Sequence, residues 1–411
     1  MPQQGQAPGE IVEIVRLGHA GDGISADGLF VPGTVPGDVV RVRREGERGD
    51  LLEVIAPGLA RAVPPCVHFG RCGGCALQHV AQPAYLAWKR DLVVTALKQR
   101  GFTDVPVEDI RAVAPGTRRR ANFKAQSAGG GVSVGFYEAG SRVLVDLSEC
   151  PILVPELARL VPRLRSQLGK ILRANETAEL LAMATDSGID LTLSLKRKRD
   201  VDVLMDLSAM ASALGLARLT WNGEDVAIAE APTLRVGRFT VMLPPGAFLQ
   251  PTKEGEQALQ QLVLAASAGA RRVADLFSGC GTLALALAGS HAVHAVDSVA
   301  SHVDALMAAA KLGRAQVSAE TRDLFRRPLL AAELARFDAV VLDPPRPGAS
   351  AQAKALAQSR VPKLLYVSCS AASFARDARI LADGGYRLNR VVPIDQFLWS
   401  PHVELFAQFS R

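Results

Sequence analysis

Two apolar runs near the C-terminus limit the folds open to this chain. Phe337–Leu342 (FDAVVL) and Lys363–Val367 (KLLYV) are β-rich and too short for helices. They read as strands buried on both faces, as in a parallel sheet. Each stops on chemistry. The first ends at Asp343-Pro344-Pro345-Arg346, where two prolines forbid a continuing ladder. The second ends at Ser368-Cys369-Ser370. Ligands of an open parallel sheet sit beyond the carboxyl ends of its strands. Asp343 and Cys369 are therefore expected in one crevice, a carboxylate beside a thiol able to act as a nucleophile. A cysteine alone is more often a packing residue, so the rest of the chain has to decide.

From about 253 to 411, strand and helix patterns alternate, which predicts a doubly wound α/β domain. Its first strand, Arg272–Leu276, runs into Phe277-Ser278-Gly279-Cys280-Gly281-Thr282 and an apolar helix. Gly279 and Gly281 would let the backbone approach a ligand at the helix start. The second strand, His291–Val296, ends at Asp297, where a carboxylate can accept hydrogen bonds from both ribose hydroxyls of an adenosine. The pair of features points to a nucleoside cofactor. Asp323, after a third strand, could bond the adenine amino group or simply cap a helix. Cys280 reads as packing.

The chain has 411 residues, enough for two or three domains with sizeable cores. No apolar run is long enough for a membrane span, and the start MPQQGQ does not read as a signal peptide. A cytoplasmic protein is expected, with no membrane partner, and six cysteines there read as metal ligands or catalytic groups rather than disulfides. The net charge is +6. Arginine and lysine cluster at Arg41, Arg43 and Arg44, at Arg118–Arg120 with Lys124, and at Lys196–Arg199. Together these favour a polyanionic partner.

Residues 10 to 56 hold short strand patterns (Glu10–Val15, Gly28–Val31, Asp38–Val42, Leu51–Val54) separated by turn residues. They predict a small barrel of the oligonucleotide-binding (OB-like) kind. Cys66, Cys72 and Cys75 follow on a glycine-rich loop, and Cys150, before Pro151, is the other cysteine ahead of the catalytic half. Four such thiols can hold zinc or an iron–sulfur cluster, and the three-plus-one spacing favours the cluster. Gln82–Arg100 reads as a helix capped by Gly101, with Tyr85, Trp88, Leu92, Val93, Ala96 and Leu97 as its core face. From Val105 to Gln250 the pattern is mixed α+β, with strands at Asn122–Ser127, Val132–Tyr137, Leu191–Leu195, Val201–Met205, Thr233–Val236 and Phe239–Met242. Helices are expected at Pro155–Arg173 and Ser208–Leu216.

In this order and spacing, CxxxxxCGGC with the later ECP, GFYEAGS, FLQ at Phe248–Gln250, DLFSGCG, DPPRPG, YVSC and PHVE resemble the RNA 5-methyluridine methyltransferases that use S-adenosylmethionine (SAM). The likeness is closest to the branch acting on 23S ribosomal RNA, which carries an N-terminal TRAM domain and a [4Fe–4S] cluster. It implies a division into a TRAM barrel (1–60), a middle domain with the cluster loop (61–252) and a Rossmann-like methyltransferase domain (253–411). The helix 82–100 would pack on the last of these. It implies that Cys66, Cys72, Cys75 and Cys150 ligate the cluster. Gln250, Phe277, Gly279, Gly281, Thr282, Asp297, Asp323 and Asp343 would line the SAM site. Cys369 would be the nucleophile and Glu404 the base. A monomer acting on 23S RNA is expected, with tRNA as the alternative substrate. Three positions depart from the family pattern: Ser370-Ala371 replaces Asn-Pro, Thr282 replaces Asn or Gly, and Asp297 replaces Glu.

The residues suit that chemistry. Carbon 5 of uracil is a weak nucleophile, and covalent addition of a thiolate at carbon 6 activates it. A base must then remove the carbon 5 proton, and Glu404 lies where a loop enters the final strand. The target base must leave any stack to reach a thiol in a crevice. A nicotinamide-dependent dehydrogenase would leave DPPR, YVSC and PHVE unexplained. A non-catalytic RNA-binding protein with structural zinc would leave Cys369 and Glu404 unexplained.

Overall fold

The computed structural model describes residues 9–198 and 200–411. The MPQQGQ start and Arg199 of the third basic run lie outside the described residues. Among the described residues, no helix is long and apolar enough to cross a membrane.

The strands Glu10–Leu17, Gly23–Ser25, Phe30–Val31, Arg48–Ala56 and Val39–Glu45 close, in that order, into a barrel. Val12, Ile14, Val40 and Val42 point inward at alternate positions and meet Leu29 and Val31. Its clustered arginines are engaged within the barrel. Arg41 pairs with Glu53, Arg43 with Asp50, and Arg44 with both Glu10 and Asp27. Exposed pairs like these stabilise little, but they balance a run that reads as bare positive charge in the sequence.

The helix Gln82–Lys98 follows the cysteine loop. It stops two residues before Arg100, because Gly101 (φ 79°) turns the chain and its N–H reaches the Lys98 carbonyl at 3.0 Å. Its buried stripe is Tyr85, Lys89, Val93 and Leu97. Val93 and Leu97 enter the same core as Phe374 and Ala378 of the C-terminal segment.

A middle sheet runs in the order Glu224–Ile228, Arg218–Trp221, Gly188–Leu195, Thr177–Thr185, Arg120–Ala128, Gly131–Tyr137, Leu144–Asp146. Gly188–Leu195 and Arg218–Trp221 are parallel neighbours, so a crossover must join them. That crossover is the helix Val201–Leu214, and it overturns the strand expected at Val201–Met205. Asp200 caps the helix by accepting the Val203 N–H at 2.8 Å. Val203, Leu207, Met210 and Leu214 then form a buried face at helical spacing. The first helix of this region likewise ends early, at Leu168 rather than Arg173. Thr233–Val236 and Phe239–Met242 form a hairpin whose apolar residues join the C-terminal core instead of the middle sheet.

The C-terminal sheet has the order Val317–Thr321, Ala292–Asp297, Arg272–Leu276, Ala339–Leu342, Lys363–Ser368, Glu404–Ser410, Arg387–Asp395, Arg111–Ala112. The first five of these are parallel, and Glu404–Ser410 is antiparallel to both its neighbours. Val273 and Val341 face one apolar layer while Ala274 and Val340 face the other, so helices cover both sides. Strand order reverses between Arg272–Leu276 and Ala339–Leu342, the point where such sheets open a crevice. The apolar helix after the glycine turn is only Ala284–Leu287. Gly281 is left-handed (φ 94°), which delays the helix start.

Candidate active site

Phe277 follows the first strand in left-handed backbone (φ 64°). Its N–H and that of Ser278 donate to the Val296 carbonyl at 2.8 and 3.1 Å, which ties the turn to the neighbouring strand. The Gly279 N–H donates to Asp297 Oδ2 at 2.9 Å and the Val299 N–H to Oδ1 at 2.9 Å. Burial pushes the Asp297 carboxyl up, but the His302 ring and these two amides outweigh it and hold the group below the usual carboxylate range. Asp297 is thus ionised, with lone pairs left for a diol. A Cβ on Gly281 would meet Leu306 Cγ at 2.8 Å, so a side chain has no room there. Thr282 is half-buried beside it, its carbonyl accepting from Gln260 Nε2 at 3.2 Å.

The Phe277 ring packs on Phe325, centroids 5.5 Å apart, and Phe325 is 47% exposed. Asp323 serves this aromatic directly: its Oδ1 accepts the Phe325 N–H at 2.9 Å and the Arg326 N–H at 3.3 Å. Asp323 therefore caps a turn, close to the plainer of its two sequence readings. Phe325 carries no signal in the sequence pattern.

Beyond the switch point, the Asp343 N–H donates to the Leu276 carbonyl at 3.1 Å. Gln250 Nε2 donates to Asp343 Oδ2 at 3.4 Å. Gln396 Nε2 donates both to Gln250 Oε1 (2.9 Å) and to Glu404 Oε2 (2.8 Å). A polar chain thus runs Asp343, Gln250, Gln396, Glu404 across three segments far apart in sequence. Buried Arg119, just before the strand Arg120–Ala128, holds its centre, donating to the Gln250 carbonyl at 3.0 Å and to buried Glu256 at 2.6 Å.

Glu404 is 3% exposed, which rules out an edge carboxylate in solvent. Burial and then the Asp343 charge push its carboxyl far up, and the Gln396 bond opposes them. Burial also raises Asp343. Cys369 is half-buried. Burial, then the charges of Glu404 and Asp343, push its thiol up to about 11, while Arg346 works the other way. The three groups expected from separate strand ends share one electrostatic neighbourhood. Asp275, under the turn, is fully buried, and the Ala284 N–H is the group that favours its charged form. Burial, then the Asp343 charge, raise it well above the carboxylate range. Cys280 is buried in the core.

An open cleft of about 880 Å³ lies over Cys369. The barrel supplies one wall with Arg16, Gly18 and His19; the helix Gln82–Lys98 supplies another with Trp88 and Asp91; Arg346, Cys369 and His402 form the floor. Trp88, read from the sequence as core, is half-buried here, and its Nε1 donates to the Gly18 carbonyl at 3.1 Å.

Cys66, Cys72, Cys75 and Cys150 are half-buried free thiols. Burial first, then the charges of the other cysteines, push Cys75 up to about 11 and Cys150 up to about 12. The four are therefore electrostatic neighbours, and their soft donor chemistry suits a thiolate-bound metal. Among the described residues, no group of three or more Cys, His, Asp or Glu is placed to hold a metal ion. The loop lies along Gly131–Tyr137 through a 2.9 Å bond from the Gly73 N–H to the Tyr137 carbonyl. Cys72 Sγ accepts the Gly74 N–H at 3.4 Å. The metal centre expected from cysteine spacing is not formed as a ligand set.

A parallel sheet with its crevice at the strand reversal, a glycine turn and an acid at the next strand end define a doubly wound domain built to take a nucleoside cofactor. The profile of the tRNA (uracil-5-)-methyltransferases matches residues 233–410. An RNA methyltransferase of Brucella melitensis is 44% identical over 405 residues, covering 97% of each chain. A 23S rRNA (uracil(1939)-C(5))-methyltransferase of Halomonas elongata is 35% identical over 376 residues, 86% of this chain and 77% of that one. The solved structure of Pyrococcus abyssi tRNA (uracil-54, C5)-methyltransferase, in complex with S-adenosyl-L-homocysteine, shares the fold. Its TM-score is 0.78 over 97% of this chain and 99% of that one, at 23% identity. The chain belongs to the RNA uracil-5 methyltransferase family and is an enzyme that methylates RNA with SAM.

Proposed function

We propose that the enzyme methylates carbon 5 of a uridine in 23S ribosomal RNA, with Cys369 as nucleophile and Glu404 as base. The observation that carries the chemistry is the shared neighbourhood of Cys369, Glu404 and Asp343, held by the Gln250–Gln396 chain. The 35% identical relative named for 23S RNA supports the substrate. A tRNA uridine is the second reading, favoured by the likeness to an archaeal enzyme named for tRNA.

When bound, SAM supplies a methyl group on a sulfonium. Asp297 would hold its ribose, Phe277 and Phe325 would flank its adenine, and Gly279, Gly281 and Thr282 would let the turn approach. Asp323 orients Phe325. Asp343 and Gln250 would hold the end that reacts. The Cys369 thiolate forms a bond to carbon 6, and the displaced electron pair gives carbon 5 enolate character. Once carbon 5 carries the methyl group, Glu404 removes its remaining proton. That electron pair restores the carbon 5–carbon 6 double bond, and the Cys369–carbon 6 bond breaks.

The test is methyl transfer from radiolabelled SAM to unmodified 23S RNA and to tRNA. Label at uracil carbon 5 of 23S RNA, absent with Cys369→Ala and stalled as a covalent RNA adduct with Glu404→Gln, is the expected result. Label in tRNA alone would move the substrate to the second reading. Label elsewhere than carbon 5 would overturn the mechanism.

Cys66, Cys72, Cys75 and Cys150 are also read as ligands of a [4Fe–4S] cluster. The mutual influence of the thiols and their three-plus-one spacing support this, and the catalytic steps above do not use it. Iron and sulfide analysis of protein purified without oxygen, with Cys75→Ser beside wild type, decides it. Zinc, or no metal, ends the cluster reading.

A further inference from the structure

We propose that Lys89 is a positioning residue for the base Glu404, acting through the loop that joins the last two strands. The proposal rests on reading Glu404 as the base. Lys89 stands in the middle of the buried stripe of Gln82–Lys98, and both it and Asp395 have fully buried side chains. Burying an ammonium group is costly unless it is fully bonded. All three of its N–H donors are in use: on Asp395, on the Phe397 carbonyl at 2.8 Å, and on the His402 carbonyl at 2.7 Å.

Those acceptors are not scattered. Asp395 ends the strand Arg387–Asp395, and His402 lies two residues before the strand Glu404–Ser410 begins. One ammonium therefore ties together both ends of the loop. Gln396, next to Asp395, donates to Glu404 at 2.8 Å, and Ile394 pairs with Glu404 across the hairpin. The second oxygen of Asp395 accepts from Tyr85 Oη at 2.6 Å, and Tyr85 Oη in turn accepts the Trp399 N–H at 2.8 Å. Trp399 is left-handed (φ 55°), a conformation that persists only where neighbours over-determine it. Ala76 and Leu77, from the cysteine loop, add their N–H groups to the Trp399 carbonyl at 2.8 and 3.1 Å.

Packing alone does not call for a cation here. An apolar side chain would fill the same stripe, and replacing a buried ion pair with apolar residues is often neutral or stabilising. What an apolar residue cannot do is bind two carbonyls and a carboxylate at once. The Glu404 carboxyl must meet one proton on a bound base, and small misplacements at such a centre are expensive in rate.

The experiment compares wild type, Lys89→Met, Lys89→Met with Asp395→Asn, and Glu404→Gln, using radiolabelled SAM and the RNA that wild type methylates. Lys89→Met is expected to keep the wild-type Kd for SAM and the wild-type kcat/KM for RNA, its KM falling together with kcat. Its kcat should fall by about a hundred-fold. It should accumulate methylated covalent adduct, as Glu404→Gln does, because only the final proton removal is slowed. The double variant carries no unpaired buried charge and should melt no lower than Lys89→Met while keeping the slow adduct release. If Lys89→Met melts below the assay temperature, the double variant supplies the measurement. Wild-type kcat in the folded variant, or joint loss of SAM binding and adduct formation, would overturn the proposal. If Glu404→Gln accumulates adduct and the Lys89 variants do not, the positioning role falls while the base assignment stands. If Glu404→Gln releases its adduct normally, the base assignment falls and takes this proposal with it.

Discussion

The Glu404 carboxyl is pushed up by burial and by Asp343, with one hydrogen bond, from Gln396, favouring the charged form. Removing that bond must raise it further. In Gln396→Leu, release of the covalent adduct should need a higher pH than in wild type, so its rate–pH profile shifts to the alkaline side. An unmoved profile, measured by single-turnover release across neutral pH, would show that the bond does not act on the base. At this scale much was legible: Asp343, Cys369 and Asp297 stand at strand ends followed by turn residues. Gln396 was not. An amide at a strand end has no distinctive spacing, and its value comes from two partners, Gln250 and Glu404, that only folding supplies.

Among the elements, the glycine turn after Arg272–Leu276 shows how little room a ligand-facing segment leaves. Gly281→Ala would force a Cβ to 2.8 Å from Leu306 Cγ in a left-handed backbone. The strain should cost on the order of 1–3 kcal/mol of stability and weaken SAM binding by calorimetry. A variant with wild-type melting and wild-type SAM affinity would show that the turn can relax. Helix and strand types followed the sequence where one period dominated. Val201–Met205 did not, because so short a run as Val-Asp-Val-Leu-Met suits either period. The cap at Asp200 and a buried face running on to Leu214 chose helix.

Over the whole molecule, the cleft above Cys369 draws its walls from the barrel, the helix Gln82–Lys98 and the C-terminal sheet. Arg16 stands on the barrel wall. Arg16→Gln should weaken RNA binding and lower the slope of log affinity against log salt by about one, with SAM affinity unchanged. An unchanged slope, from titrations at several salt concentrations, would place the RNA backbone elsewhere. The basic runs that drew attention in the sequence are partly used inside the fold. Arg41, Arg43 and Arg44 meet acids on the barrel, and Arg119 meets Glu256 under Gln250.

By itself, the sequence determined the alternating β/α segment, the strand-end positions of Asp297, Asp343 and Cys369, and the barrel at the start. Each follows from local periodicity and from prolines and glycines that stop an element at a defined residue. Tertiary structure alone decided that Gln396 would join Gln250 to Glu404, and that Lys89 would sit buried under the hairpin that carries Glu404. It also decided that the clustered barrel arginines would be balanced by acids. Most of these depend on groups tens to hundreds of residues apart. The cost of burying a charge or an amide is settled only by the partners that arrive with the packed fold.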